Sequence, residues 1–122
     1  MTLEQAKTLN TTLTETQKRI LKGSTLAFLA KVTKELGVKT PRELKLGRRG
    51  VRNFCTVSNT LRACGEHDWS IYVMTSCKLL QVIDTEGERR SFCPPASARV
   101  FINAFDGGQF PELQELDEGD RV

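Results

Sequence analysis

A mainly α fold is what this sequence predicts: one small domain of four to five short helices, with a β-hairpin near residues 79–92. Three observations carry that expectation. Hydroxyl-first capping patterns recur through the first half, at "TLEQ", "TLTE" and "TPRE". Apolar residues recur at helical steps of three and four in the second half. Two β-rich runs bracket the turn "DTEGE". The chain has 122 residues, 39% hydrophobic and 27% charged, which suits a single ordered core rather than a disordered segment.

Each element follows from local chemistry. In the three boxes, Thr2 to Gln5, Thr12 to Glu15 and Thr40 to Glu43, a threonine hydroxyl can take the N3 amide while the N3 side chain reaches back. Helices are expected over 3–9 and 13–22, broken at Gly23. Ser24 then caps a second helix to Leu36, with Phe28, Leu29, Val32 and Leu36 in register and Gly37 as its stop. Pro41 at N1 opens a short helix over 41–46. Val51, Phe54, Val57, Leu61 and Cys64 make a stripe that predicts a helix over 51–64, closed by Gly65.

Beyond Gly65 the pattern is ambiguous. "WSIYVMTSCKLLQVI" fits a helical face and an alternating strand about equally; its β-branched and aromatic content favours the strand, and Asp68 as a cap favours the helix. Pro94 and Pro95 then lead into a helix with the stripe Ala98, Phe101, Ile102 and Phe105. Residues 1–108 read as the globular domain and 109–122 as an acidic, flexible tail.

Charge is unevenly placed. The net charge is only +3. Yet from Lys18 to Arg62 there are twelve cations against Glu35 and Glu43, and from Asp106 onward six acids against Arg121. That asymmetry points to nucleic acid, DNA ahead of RNA, or to an acidic protein partner. The sharpest concentration is the glycine-bracketed turn "GRRG", where Lys45, Gly47, Arg48, Arg49, Gly50 and Arg52 form the candidate phosphate-binding set. Its arginines are expected to be exposed and unpaired. The same composition also describes a solvated loop between core helices, and both readings stand.

The stretch "LGVKTPRELKLGRRGVRNFCTVSNTLRACG", through Thr40, Glu43, Leu44, Leu46, Gly47, Arg48, Arg49 and Gly65, resembles the helix-hairpin-helix segment of RNA polymerase α C-terminal-domain-like proteins. The likeness covers about a quarter of the chain, with a shorter linking segment and an extra glycine at Gly50. It implies that amides at the second helix's N-terminus hold a phosphate, assisted by the arginines. Residues 55–105, with Cys64, "IYV" and "FCPP" before an apolar helix, are similar to Tai-type immunity proteins, helical neutralisers of a secreted toxin. That likeness keeps open the alternative function, a small protein-binding inhibitor or immunity-type protein that blocks a partner through its basic face or acidic tail; a phage or plasmid origin belongs to that alternative.

Other chemistry is thin. Cys64, His67, Cys77 and Cys93 supply a donor set suited to zinc, but structural sites bring ligands as two close pairs and fifteen residues separate Cys77 from Cys93. No metal or other cofactor is expected. The polar N-terminus carries no apolar leader, so a cytoplasmic protein with free cysteines is the expectation. His67 beside Asp68 is the one histidine; there are no paired carboxylates in an apolar context and no P-loop, so enzyme activity is not expected. Trp69 and Tyr72 are candidates for base stacking, with core packing the commoner role for a lone tryptophan.

Overall fold

The computed structural model describes residues 12–66, 68–74 and 78–115. In chain order these form α1 (Glu15–Leu36), α2 (Thr56–Cys64), strands β1 (Ser70–Met74), β2 (Leu79–Ile83) and β3 (Arg89–Phe92), α3 (Ala96–Asp106), and a single 3₁₀ turn at Pro111–Leu113. The architecture is α+β, which corrects the mainly α expectation of four to five helices. The three strands form an antiparallel meander, order β1-β2-β3.

The stretch from Trp69 to Ile83 decides the fold class. Ile71 and Val73 of β1, and Leu80 and Val82 of β2, are buried while their neighbours are only half-buried. That is the period-2 pattern of a sheet with one face on a core. Val73 stands opposite Leu80 and Ile71 opposite Val82, so the apolar side chains stack as cross-strand pairs. The anticipated hairpin of β2 and β3 exists, in the register Leu80 to Phe92 and Ile83 to Arg89. A two-stranded ribbon alone is marginal in water; β1 gives β2 a partner on each side and doubles the buried apolar face. β3 is one of the sheet's two edge strands, and exposed Arg89 and Arg90 protect that edge from further pairing.

The break expected at Gly23 does not occur, and α1 is continuous. Leu21, Thr25, Leu29 and Val32 form one buried face running through it. A helical glycine costs about 1 kcal/mol against alanine, whereas burying each large aliphatic side chain contributes about 1.5–3 kcal/mol, so packing wins. Thr25 and Thr33 donate to the carbonyls of Leu21 and Leu29, which removes the penalty of burying their hydroxyls. The N-cap is Thr14, in a full capping box with Gln17, rather than Thr12. Gly37 ends the helix as anticipated, in the left-handed region at φ 73°. The helix expected over 3–9 lies outside the described residues.

Two further helix expectations need correction. Residues 41–46 are not helical; six residues hardly nucleate a helix, and side chains of α2 take their backbone groups instead. Thr60 Oγ1 accepts from Lys45 N–H, and Asn59 Nδ2 donates to Leu46 O. The helix expected from Val51 starts only at Thr56, because the Arg52 carbonyl is committed to Val73 N–H and the Ser58 hydroxyl.

The core joins both layers. α1 packs on α3 and α2 on β1, with Leu21, Leu29, Leu61, Ile71, Leu80, Phe101 and Phe105 fully enclosed. The α3 stripe of Ala98, Phe101, Ile102 and Phe105 is buried as its spacing predicts. Residues 109–115, expected to begin a flexible tail, are docked. Phe110 is 1% exposed, its ring centroid 4.8 Å from that of Phe101, with Lys18 and Lys22 over its face. The rest of the acidic tail lies outside the described residues.

Candidate nucleic-acid interface

The glycine-bracketed loop follows α1 and is held from three sides. Gly47 N–H donates to Leu113 O, and Gly47 O accepts from Glu115 N–H, a short parallel bridge to the C-terminal segment. Arg48 N–H donates to Phe54 O at 2.8 Å. Gly50 N–H donates to Asp106 Oδ1 at 2.9 Å, at the C-terminal end of α3. Gly47 is buried against the start of α2, where an added Cβ would lie 2.2 Å from the Thr56 nitrogen. The turn therefore does not join two helices directly; it is a strap between α3, the C-terminal segment and α2.

These bonds divide the candidate set. Arg48, Arg49 and Arg52 are all exposed, but Arg49 is not unpaired as expected. Its Nε donates to Asp106 O at 3.0 Å, and its guanidinium lies beside Gly108. A cation there meets the negative end of the α3 dipole. Burial pushes the Asp106 carboxyl above its ordinary range, against the opposing pull of Gly50 N–H and the Arg49 charge. The amides of Gly47, Arg48 and Gly50 already have acceptors inside the protein. Lys45, by contrast, faces outward, its Nζ 3.6 Å from Glu43 in a solvent-exposed pair.

Lys45 belongs to a cleft absent from the sequence reading. Lys39, Thr40, Pro41, Arg42, Glu43 and Lys45 form one wall, and Thr60, Ala63 and Cys64 of α2 the other, around about 750 Å³. Three cations against one carboxylate line it. Thr60 Oγ1 pins the irregular run from Val38 to α2 at Lys45. Sequence spacing offered the cations but not the wall, because residues 41–46 read as a helix.

Two large apolar side chains are also exposed, Phe54 at 47% and Leu46 at 51%. Asn59 Nδ2 donates to both of their carbonyls. The Arg62 guanidinium lies 4.9 Å from the Phe54 ring centroid and is oriented by Asn59 Oδ1. Of the aromatics singled out for stacking, Trp69 is half-buried against the core, its ring packed on Gly65. Tyr72 is half-buried in β1.

Two of the thiols, Cys55 and Cys64, are poorly suited to nucleophilic work. Cys55, at the N-cap of α2, is 4% exposed, and burial pushes its thiol up despite the Ser58 hydroxyl beside it at 3.2 Å. Burial also raises Cys64, partly offset by the Lys45 charge. Cys55, Cys64 and Cys93 are free. Among the described residues no three His, Cys, Asp or Glu side chains cluster as metal ligands; His67 and Cys77 lie outside them. No helix of the described residues is long and apolar enough to cross a membrane.

No protein-family model matches the chain, nor does any curated protein or solved structure match it significantly.

Proposed function

We propose that this is a non-catalytic nucleic-acid-binding protein that grips phosphates with side chains rather than with the amides of its glycine turn. Lys39, Arg42 and Lys45 of the cleft are the principal contacts, continued by Arg48 and Arg52 of the loop and Arg62 of α2. The observation that carries this reading is the density of outward-facing charge: between Lys31 and Arg52 all eight cations are exposed, against two acids, Glu35 and Glu43. Long cationic side chains around a concave surface match a polyanion, which such contacts bind by releasing condensed counterions. Arg49 and Gly50 are assigned to anchoring the loop on Asp106, and Gly47 to the close approach of loop and α2. The raised thiols of Cys55 and Cys64 leave neither disposed to act as a nucleophile, since the thiolate is the reactive form.

The test compares two variants of equal charge change. Lys39→Gln with Arg42→Gln should weaken oligonucleotide binding by about tenfold or more and lower the salt slope by about two. Arg89→Gln with Arg90→Gln, on edge strand β3, should change affinity by less than about twofold at the same salt concentration. Equal losses in the two variants would mean that net charge alone governs binding and would overturn the cleft assignment.

A further inference from the structure

We infer that Phe54 is a base-stacking platform and that the ligand of this surface is therefore a single-stranded nucleic acid. The inference rests on the nucleic-acid reading above and deepens it. Phosphate contact alone requires no exposed aromatic ring, yet Phe54 is held outward by its main chain. Its N–H donates to Val51 O, and its carbonyl accepts from both Arg48 N–H and Asn59 Nδ2. With both backbone groups committed, the main chain that carries the exposed ring is fixed. Asn59 also fixes the Leu46 carbonyl, and Leu46 is likewise exposed.

The surroundings of that surface are cationic. The Arg62 guanidinium lies over the ring, exposed Arg48 is tied to the Phe54 carbonyl through its main-chain N–H, and Lys45, a lining residue of the cleft, precedes Leu46. An aromatic ring beside a guanidinium, flanked by a basic groove, is the arrangement that takes up an unpaired base while cations follow the backbone. In a duplex the base faces are covered by their neighbours, so the ring gains nothing from it. An acidic peptide would satisfy the cations without calling on the ring.

The experiment measures fluorescence anisotropy of labelled single-stranded DNA, single-stranded RNA and duplex DNA of equal length, with wild-type protein, Phe54→Ala and Phe54→Trp. Wild type should prefer at least one single strand over the duplex by about tenfold. Phe54→Ala should lose about tenfold or more in single-strand affinity, with its salt slope and duplex binding unchanged, and Phe54→Trp should retain the wild-type affinity. An unchanged urea midpoint for Phe54→Ala confirms that the loss is not one of folding. Equal affinity for single strand and duplex, with no effect of Phe54→Ala, would overturn the stacking role and leave the phosphate reading intact. Binding to none of the three would overturn both and assign the surface to a protein partner.

Discussion

Replacing Gly47 with alanine should destabilise this protein more than any other glycine-to-alanine change in the loop. The new Cβ would meet the Thr56 nitrogen at 2.2 Å, the Cys55 carbonyl carbon at 2.3 Å and Thr56 Cα at 2.8 Å. All three are backbone atoms at the start of α2, so no flexible side chain can move aside. Forced overpacking costs about 1–3 kcal/mol. Moving Gly47 away from α2 also strains its bonds to Leu113 and Glu115, each contributing about 0.5–1.5 kcal/mol net. The expected loss is about 2–6 kcal/mol, a large share of the roughly 5–15 kcal/mol typical of a small domain. Urea unfolding followed by circular dichroism reads this directly. With a slope of about 2 kcal/mol per molar, the midpoint should fall by about 1–3 M. Gly50→Ala, with open space but φ at 70°, should lose only about 1–2 kcal/mol. Gly23→Ala, with open space in the exposed middle of α1, should gain about 0.5–1 kcal/mol. A Gly47→Ala protein within about 1 kcal/mol of wild type would refute the close-approach argument.

Asp106→Asn keeps an Oδ1 acceptor for Gly50 N–H and removes a charge that burial disfavours. Because the folded pKa is raised, wild-type Asp106 is penalised above that value, and the penalty disappears as pH falls through it. Asp106→Asn should therefore match or exceed wild-type stability at pH 7 and lose that advantage in acid, as read by thermal melts across pH. Glu112 has the opposite sign. Although its burial opposes the charge, the Lys22 hydrogen bond at 2.8 Å and the charges of Lys22 and Lys18 hold its carboxyl below the ordinary range. Its contribution is present above the unfolded value near 4.5 and is lost as pH falls through the lower folded value. Glu112→Gln should cost under about 1 kcal/mol at pH 7 and nothing at the acid end. Phe110→Ala should cost about 3–5 kcal/mol by the same urea assay; a loss below about 1 kcal/mol would mean that the segment after α3 is not part of the core.

The sequence made the helical half of the fold legible where apolar spacing and a terminator agreed. Phe101, Ile102 and Phe105 lie on the face their spacing assigned, and Gly37 stops α1. It failed where two periods overlapped. Between Trp69 and Ile83 helical and alternating patterns share Val73 and Leu80, and only the pairing of β1 with β2 separates them. Phe54 was misplaced for a related reason: its spacing to Val57 and Leu61 is helical, but the helix begins two residues after it. The candidate cations were visible as a run of charge. Their division into a cleft group and an Asp106-bound anchor was not, since it depends on contacts between Arg49 or Gly50 and a residue more than fifty positions away.

The central claim is that this surface grips a polyanion, and the dependence of binding on salt tests it most directly. Six cations, Lys39, Arg42, Lys45, Arg48, Arg52 and Arg62, each releasing about 0.7 of a counterion from a single strand, predict that log K falls against log salt with a slope of about −4 between roughly 50 and 200 mM. A slope near zero, or no binding at the lowest salt, would contradict the account.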